Sequence, residues 1–110
     1  MEKTYNKLVR DKIPEIIKNN GEEPITRILD NDEYKKELEK KLFEEYQEVV
    51  ATTTSEDRIE ELADVLELIR TLAHLENKTL DDVLKIADDK NIKRGAFKKQ
   101  IFLEKVEEIK

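Results

Sequence analysis

The chain has 110 residues and a mass of 13.0 kDa, the size of one domain, which we place over residues 1–110. Its 21 basic and 27 acidic side chains give a net charge of −6, which argues against bulk nucleic-acid binding. Without cysteine and with one histidine it cannot form disulfides, thiolate zinc sites or sites that need two imidazoles. Because no signal peptide and no apolar run of about 20 residues occur, we expect a cytoplasmic protein without a membrane span.

The first predicted element is a short helix near the N-terminus. Asp11 is expected to cap it, Pro14 fits its first turn, and Gly21 is expected to end it. The following residues 23–29 are interpreted as extended.

Two long helices are predicted next. The second helix starts at Asp30, which forms a capping-box pattern with Glu33. Thr54 or Ser55 is expected to cap a third helix that runs to about Glu76. Apolar residues surround most of that third helix, which predicts burial between partners. The apolar stripe of the second helix consists of Tyr34, Leu38, Leu42, Tyr46 and Val49.

A fourth helix is predicted between Thr79, which forms a capping box with Asp82, and Gly95. The remaining tail is expected to cover the bundle as an irregular segment or a short helix, through Ile101, Phe102, Leu103 and Val106. The elements together predict an all-α, antiparallel helical bundle of three to four main helices. Since so short a chain offers the third helix few partners, we expect a homodimer.

The most informative residues are four acids, Glu45 and Glu48 on the second helix and Glu61 and Asp64 on the third. A hairpin about residues 54 and 55 sets Glu45 level with Asp64, and Glu48 level with Glu61. Both pairs fall on apolar stripes, where an uncompensated charge costs several kcal/mol. A divalent cation is the simplest compensation, and all-oxygen ligation suits Mg²⁺, Mn²⁺ or Ca²⁺.

A di-iron carboxylate bundle would require Glu-x-x-His on two helices. Both acidic pairs here end in a carboxylate, and His74 lies close to three turns beyond Asp64. Glu44 lies beside the proposed ligands, off the apolar stripe. Basic residues lie on both sides of the acidic residues in the sequence, namely Lys7, Arg10, Lys12, Lys90, Lys93 and Arg94.

Three motifs carry a family resemblance. The acidic motif reads EEYQE at residues 44–48, then twelve residues, then ELAD at residues 61–64. The segments YNKLVRDKIP at residues 5–14 and KRGAFKKQIFL at residues 93–103 flank it. Together they resemble the all-α nucleoside triphosphate pyrophosphohydrolase superfamily, in its small single-domain branch that is MazG-like or phosphoribosyl-ATP pyrophosphohydrolase-like. Ala96 departs from the family pattern, in which a second glycine is common.

The resemblance implies a dimeric helical bundle that hydrolyses the bond between the α and β phosphates of a nucleoside triphosphate. The implied cofactor is Mg²⁺, which Mn²⁺ can replace, and the implied role is house-cleaning of non-standard nucleotides. Such a substrate needs basic residues to bind its phosphates, and the basic residues named above are the candidates. The implied metal ligands are Glu45, Glu48, Glu61 and Asp64, with Glu45 or Glu48 as the catalytic proton acceptor. Two alternatives stay open: a phosphoribosyl-ATP pyrophosphohydrolase, and a non-catalytic acidic helical module that binds a partner.

Overall fold

A computed structural model describes residues 2–109. It contains four helices, α1 (Ile13–Asn19), α2 (Asn31–Ala51), α3 (Ser55–Leu75) and α4 (Leu80–Arg94). No strand occurs over the described range, which confirms the all-α class, and residues 23–29 carry no regular secondary structure. No helix in this range combines the length and apolar character needed to cross a bilayer.

The start of α1 differs from the prediction. Lys12 occupies the N-cap position instead of Asp11, and it makes no side-chain capping bond because an ammonium group has no acceptor to offer. The backbone closes this turn, since the N–H of Ile13 donates to the carbonyl oxygen of Arg10 over 3.0 Å. Gly21 follows the helix with a φ of 87°, a left-handed conformation that favours glycine and ends the helix as predicted.

Side-chain caps define the start of both long helices. The carboxylate of Asp30 accepts a hydrogen bond from the N–H of Glu33 over 2.9 Å, and the hydroxyl of Thr54 accepts one from the N–H of Asp57 over 3.1 Å. The capping box predicted for α2 is only half formed. The carboxylate of Glu33 is instead paired with the guanidinium of Arg27 at 3.0 Å, a partner from outside the helix.

The turn between α2 and α3 makes the two helices antiparallel neighbours, which we call the hairpin (residues 31–75). The hydroxyl of Thr52 donates to the carbonyl oxygen of Val49 over 2.7 Å. The guanidinium of Arg58, from the first turn of α3, reaches the same carbonyl oxygen at 3.5 Å. These bonds connect the end of α2 to the start of α3, and so help to fix which residues of the two helices lie level.

The core of the single chain is small. Only Leu38 of α2 and Leu68 and Ala73 of α3 are buried within residues 2–109, with exposed fractions of 2%, 7% and 8%. The predicted stripe of α2 is otherwise half-buried, except that Tyr46 is exposed and packs its ring beside that of Phe43. Placing Tyr46 in the core was wrong, because its side chain is 59% exposed and no helix among residues 2–109 covers it.

One chain does not bury α3 on all sides, and the predicted cover of the remaining surface by a second copy stays a prediction. Ile59, Leu62 and Leu66 recur at helical spacing and form an exposed apolar stripe on α3. The accessible surface of 10774 Å² exceeds the roughly 6,300 Å² expected of a compact monomer of this mass. The radius of gyration, 19.3 Å, likewise exceeds the expected value of about 13 Å. One copy therefore leaves much apolar surface in contact with water.

The fourth helix and the residues after it form a C-terminal arm (residues 80–109). The predicted capping box is present, with Thr79 and Asp82 exchanging hydrogen bonds, and Gly95 ends the helix with a φ of 82°. Among the four helices α4 contacts only α3. The tail does not cover the bundle as predicted, because it forms no helix and its apolar side chains are exposed, namely those of Ile101, Phe102, Leu103 and Val106.

Candidate metal centre

The hairpin brings three carboxylates together, and we call them the carboxylate cluster. One oxygen each from Glu45 of α2 and from Glu61 and Asp64 of α3 lies within 4.8 Å of the other two. Glu61 and Asp64 share a face of α3 because they are three residues apart. Glu45 meets them because the short turn places it level with Asp64. The register expected from the sequence is the one that the backbone adopts here.

Ionisation of all three carboxylates of the cluster is unfavourable. The side chain of Glu45 is only 16% exposed. Partial burial raises the pKa of Glu61 above its ordinary value, and a hydrogen bond with Glu45 raises it further. The negative charges of Glu45, Asp64 and Glu48 act in the same direction. A positive charge placed among these groups would relieve this repulsion.

Glu48 lies outside the cluster but close to it. Its side chain is exposed, and its charge contributes to the raised pKa of Glu61. Glu48 and Glu61 also line an open cavity of about 250 Å³ beside the turn, together with Thr52 and Thr53. Its role as a ligand or proton acceptor stays a prediction. The position fits a group that faces a bound molecule at the rim of the cluster.

Two basic side chains already contact the cluster. A guanidinium nitrogen of Arg10 lies 2.8 Å from Oδ1 of Asp64, across 54 positions of sequence. The ammonium of Lys41 lies 4.0 Å from Oε1 of Glu45, one helical turn away. Arg10 was among the predicted phosphate-binding residues. Lys41 was not, although its spacing of four residues from Glu45 is a signal that the sequence contains.

The N-terminal segment (residues 2–12) runs beside the hairpin at the level of the cluster. Lys7 and Leu8 line a small crevice against Lys41 and Glu44 of α2. Glu44 therefore faces this crevice and not the cluster. Because Arg10 of the same segment pairs with α3, the segment contacts both long helices of the hairpin.

The other predicted phosphate-binding residues are not gathered at the cluster by one chain. Lys12 is exposed at the start of α1. Lys90, Lys93 and Arg94 are exposed on the last turns of α4. In the part of the chain that the structure describes, these four side chains form no hydrogen bond or ion pair. Their participation in substrate binding stays a prediction.

The donor atoms of the cluster fit a hard divalent cation. Oxygen ligands lie about 2.1 Å from Mg²⁺ and up to about 2.6 Å from Ca²⁺, so two ligands of one ion are at most about 4 to 5 Å apart. The oxygens of the three carboxylates lie no more than 4.8 Å from one another, which is within the span of a Ca²⁺ site and close to the roughly 4.2 Å that two ligands of Mg²⁺ can span. The cluster could therefore hold a metal ion without rearrangement of the helices.

Comparison with known proteins gives one distant match. The chain is 45% identical over 53 residues to an uncharacterised protein of Mycolicibacterium smegmatis, a match that covers 48% of this chain and 54% of that protein. The chain thus spans about half the length of the curated relative that it matches. No family model matches the sequence, and no solved structure matches it either.

Proposed function

We propose that the protein is a Mg²⁺-dependent nucleoside triphosphate pyrophosphohydrolase that releases a nucleoside monophosphate and pyrophosphate. The observation that carries this proposal is the carboxylate cluster, in which two helices of the hairpin bring Glu45, Glu61 and Asp64 within 4.8 Å of one another. The sequence resemblance supplies the reaction and the proposed role in removing non-standard nucleotides.

The charges of the site support a polyphosphate substrate only when a cation is present. A triphosphate carries several negative charges, and bare carboxylates would repel it. A divalent cation held by Glu45, Glu61 and Asp64 would supply the charge neutralisation and Lewis acidity that phosphoanhydride cleavage needs. The raised pKa of Glu61 supports this assignment, because partial burial and the neighbouring carboxylates both disfavour its charged form, which a cation would stabilise.

The side chains around the cluster can accept the proton of the attacking water and neutralise the charge of the leaving group. Glu48 faces the open cavity beside the turn, where a water molecule that attacks the α phosphorus could give its proton to Glu48 or Glu45. As the water oxygen bonds to phosphorus, the bond to the bridging oxygen breaks and pyrophosphate leaves. Arg10, placed at the cluster by the N-terminal segment, can neutralise charge on the departing phosphates.

We further propose that the active form is a homodimer. The support is the exposed apolar stripe of Ile59, Leu62 and Leu66 on α3, together with an accessible surface far larger than a compact monomer presents. These three residues point away from the face that carries Glu61 and Leu68, by about 100° or more around the helix. A partner copy can therefore cover the stripe without blocking the cluster.

A nucleotide screen tests the function. The purified protein is incubated with Mg²⁺ and a panel of standard and modified NTPs and dNTPs, with phosphoribosyl-ATP as a separate substrate, and pyrophosphate release is measured. We expect a monophosphate and pyrophosphate from at least one nucleotide. The Glu45→Gln, Asp64→Asn double variant, prepared identically, shows whether activity belongs to the protein or to a contaminating enzyme. Release of a diphosphate and inorganic phosphate would contradict attack at the α phosphorus, and no turnover on any substrate would favour a binding module.

A further inference from the structure

We infer that Arg10 is an internal counter-ion of the carboxylate cluster, which competes with the metal for Asp64 and passes to the phosphates when the metal binds. The inference rests on the proposed function, because it assigns a regulatory role at the same site. It starts from one contact, the guanidinium of Arg10 at 2.8 Å from Oδ1 of Asp64.

The contact engages a carboxylate that the metal needs. Asp64 offers its carboxylate to the cluster, whose oxygens lie within 4.8 Å of one another. A guanidinium that donates to this carboxylate reduces its negative charge and holds a positive charge where a cation would bind. Since like charges repel, metal binding must be weaker while Arg10 stays on Asp64 than after Arg10 has moved away.

The contact is also easy to exchange. The side chains of Arg10 and Asp64 are 59% and 42% exposed, and exposed ion pairs contribute little net stability. Arg10 precedes α1, and α1 makes no contact with another helix among residues 2–109. The guanidinium can therefore leave Asp64 through a change of its own rotamers, without disturbing packing between helices.

During this exchange Arg10 pairs with two negatively charged partners, one after the other. Without metal it pairs with Asp64. When a metal and a polyphosphate arrive together, Asp64 turns to the metal, and the guanidinium is free to bind phosphate oxygens beside it, which its planar fork matches well. Arg10 thus disfavours the metal alone and favours the metal together with phosphate. This couples metal binding to the presence of substrate.

The test measures two binding constants that should change in opposite directions. Mn²⁺ affinity is measured by electron paramagnetic resonance of free Mn²⁺ at low ionic strength, and pyrophosphate affinity by calorimetry at saturating Mn²⁺. We expect Arg10→Ala to tighten Mn²⁺ binding about fivefold, the scale of an exposed ion pair, and to weaken pyrophosphate binding by at least as much. Arg10→Lys keeps the charge and should fall between the wild type and Arg10→Ala in both measurements.

Arg27→Ala is the matched control, since Arg27 is an exposed arginine paired with Glu33, away from the cluster. It removes the same charge and should leave both constants within about twofold of the wild type. Unchanged or weaker Mn²⁺ binding by Arg10→Ala would overturn the inference while leaving the metal site intact. If neither the wild type nor any variant binds Mn²⁺, the proposed function itself fails, and the inference with it.

Discussion

The helices of the hairpin and of the C-terminal arm are capped in the same way, yet the burial of their side chains differs strongly. Both begin with side-chain caps, Asp30 and Thr54 in the hairpin and Thr79 in the arm. The hairpin contains every buried side chain of residues 2–109, whereas Ile92 of the arm is 84% exposed. A capping side chain bonds to a backbone N–H group three residues along the chain, whereas an apolar side chain is buried only where another element packs against it.

The two regions also treat charge differently. In the hairpin, acidic side chains from two helices converge, and Arg10 from outside the hairpin and Lys41 from α2 place positive charges beside them. In the arm, the basic side chains of Lys90, Lys93 and Arg94 face solvent. Because like charges are costly where they are concentrated, a cation would gain more from the hairpin than from the arm. Three experiments sharpen this contrast.

The largest expected effect is the loss of turnover when a charge is removed from the carboxylate cluster, compared with the effect of removing a charge from the arm. Glu61→Gln preserves shape but removes a charge from the cluster, and we expect kcat to fall by about 100-fold or more, because stabilisation of transition-state charge is lost. Lys90→Ala and Arg94→Ala should raise KM a few-fold with little change in kcat. Steady-state kinetics on the best nucleotide of the screen measures both.

The control for this experiment is Glu104→Gln, which removes an exposed acidic charge from the tail and should leave both constants unchanged. A loss of kcat with Lys90→Ala as large as with Glu61→Gln would place the arm in the chemical step. Wild-type kcat in Glu61→Gln would remove the cluster from the mechanism.

The second experiment asks which region holds the dimer together. Sedimentation should give a particle of twice 13.0 kDa at micromolar concentration. Leu66→Glu places a charge in the exposed apolar stripe of α3 and should reduce the mass to that of one chain, because a buried unpaired charge is costly. Ile92→Glu makes the same change in helix α4 and should leave the dimer intact. A wild-type monomer would contradict the proposal, and dissociation by Ile92→Glu alone would move the interface to the arm.

The smallest expected effect is the pH dependence of stability. The pKa of Glu61 is raised in the folded protein, so the folded state holds that proton more tightly than the unfolded chain. Without metal, stability should therefore fall as pH rises from the ordinary value of 4.5 through the raised pKa, and the penalty should be complete above it. Mg²⁺ should accordingly raise Tm more at pH 7 than at pH 4.5.

Thermal denaturation followed by circular dichroism measures this effect. Glu61→Gln should raise Tm without metal at pH 7 and remove most of the Mg²⁺ increment, whereas Glu104→Gln in the tail should change neither. An equal Mg²⁺ increment at both pH values, or an increment that survives Glu61→Gln, would show that the cation acts elsewhere.

Some features were predictable because they depend on neighbours in sequence. The caps at Asp30, Thr54 and Thr79 follow from an acceptor side chain beside free backbone N–H groups. The convergence of Glu45 and Asp64 follows from two regular helices and a short turn between them. Because helices have regular geometry, residue spacing predicts which side chains meet across two helices joined by a short turn.

Other features depend on which part of the structure packs against a residue, and residue spacing alone does not predict this. Tyr46 shares the stripe of Leu38, but only Leu38 meets a covering helix. The tail is apolar enough to cover a bundle, yet it remains exposed in one chain. Lys12 and not Asp11 is the N-cap residue of α1, where a backbone hydrogen bond between Ile13 and Arg10 closes the turn without a side-chain cap.

The sequence by itself determined the helices, the caps of α2, α3 and α4, and the level at which Glu45 and Asp64 lie in the hairpin. Only the tertiary structure decided that Arg10 contacts Asp64, because that contact joins residues 54 positions apart through an irregular segment. It also decided which apolar faces are buried, since Leu68 is 7% exposed while Leu66, on another face of the same helix, is 41% exposed. Hydrogen bonds within a helix act over three or four residues, whereas packing and charge pairing depend on distance in space.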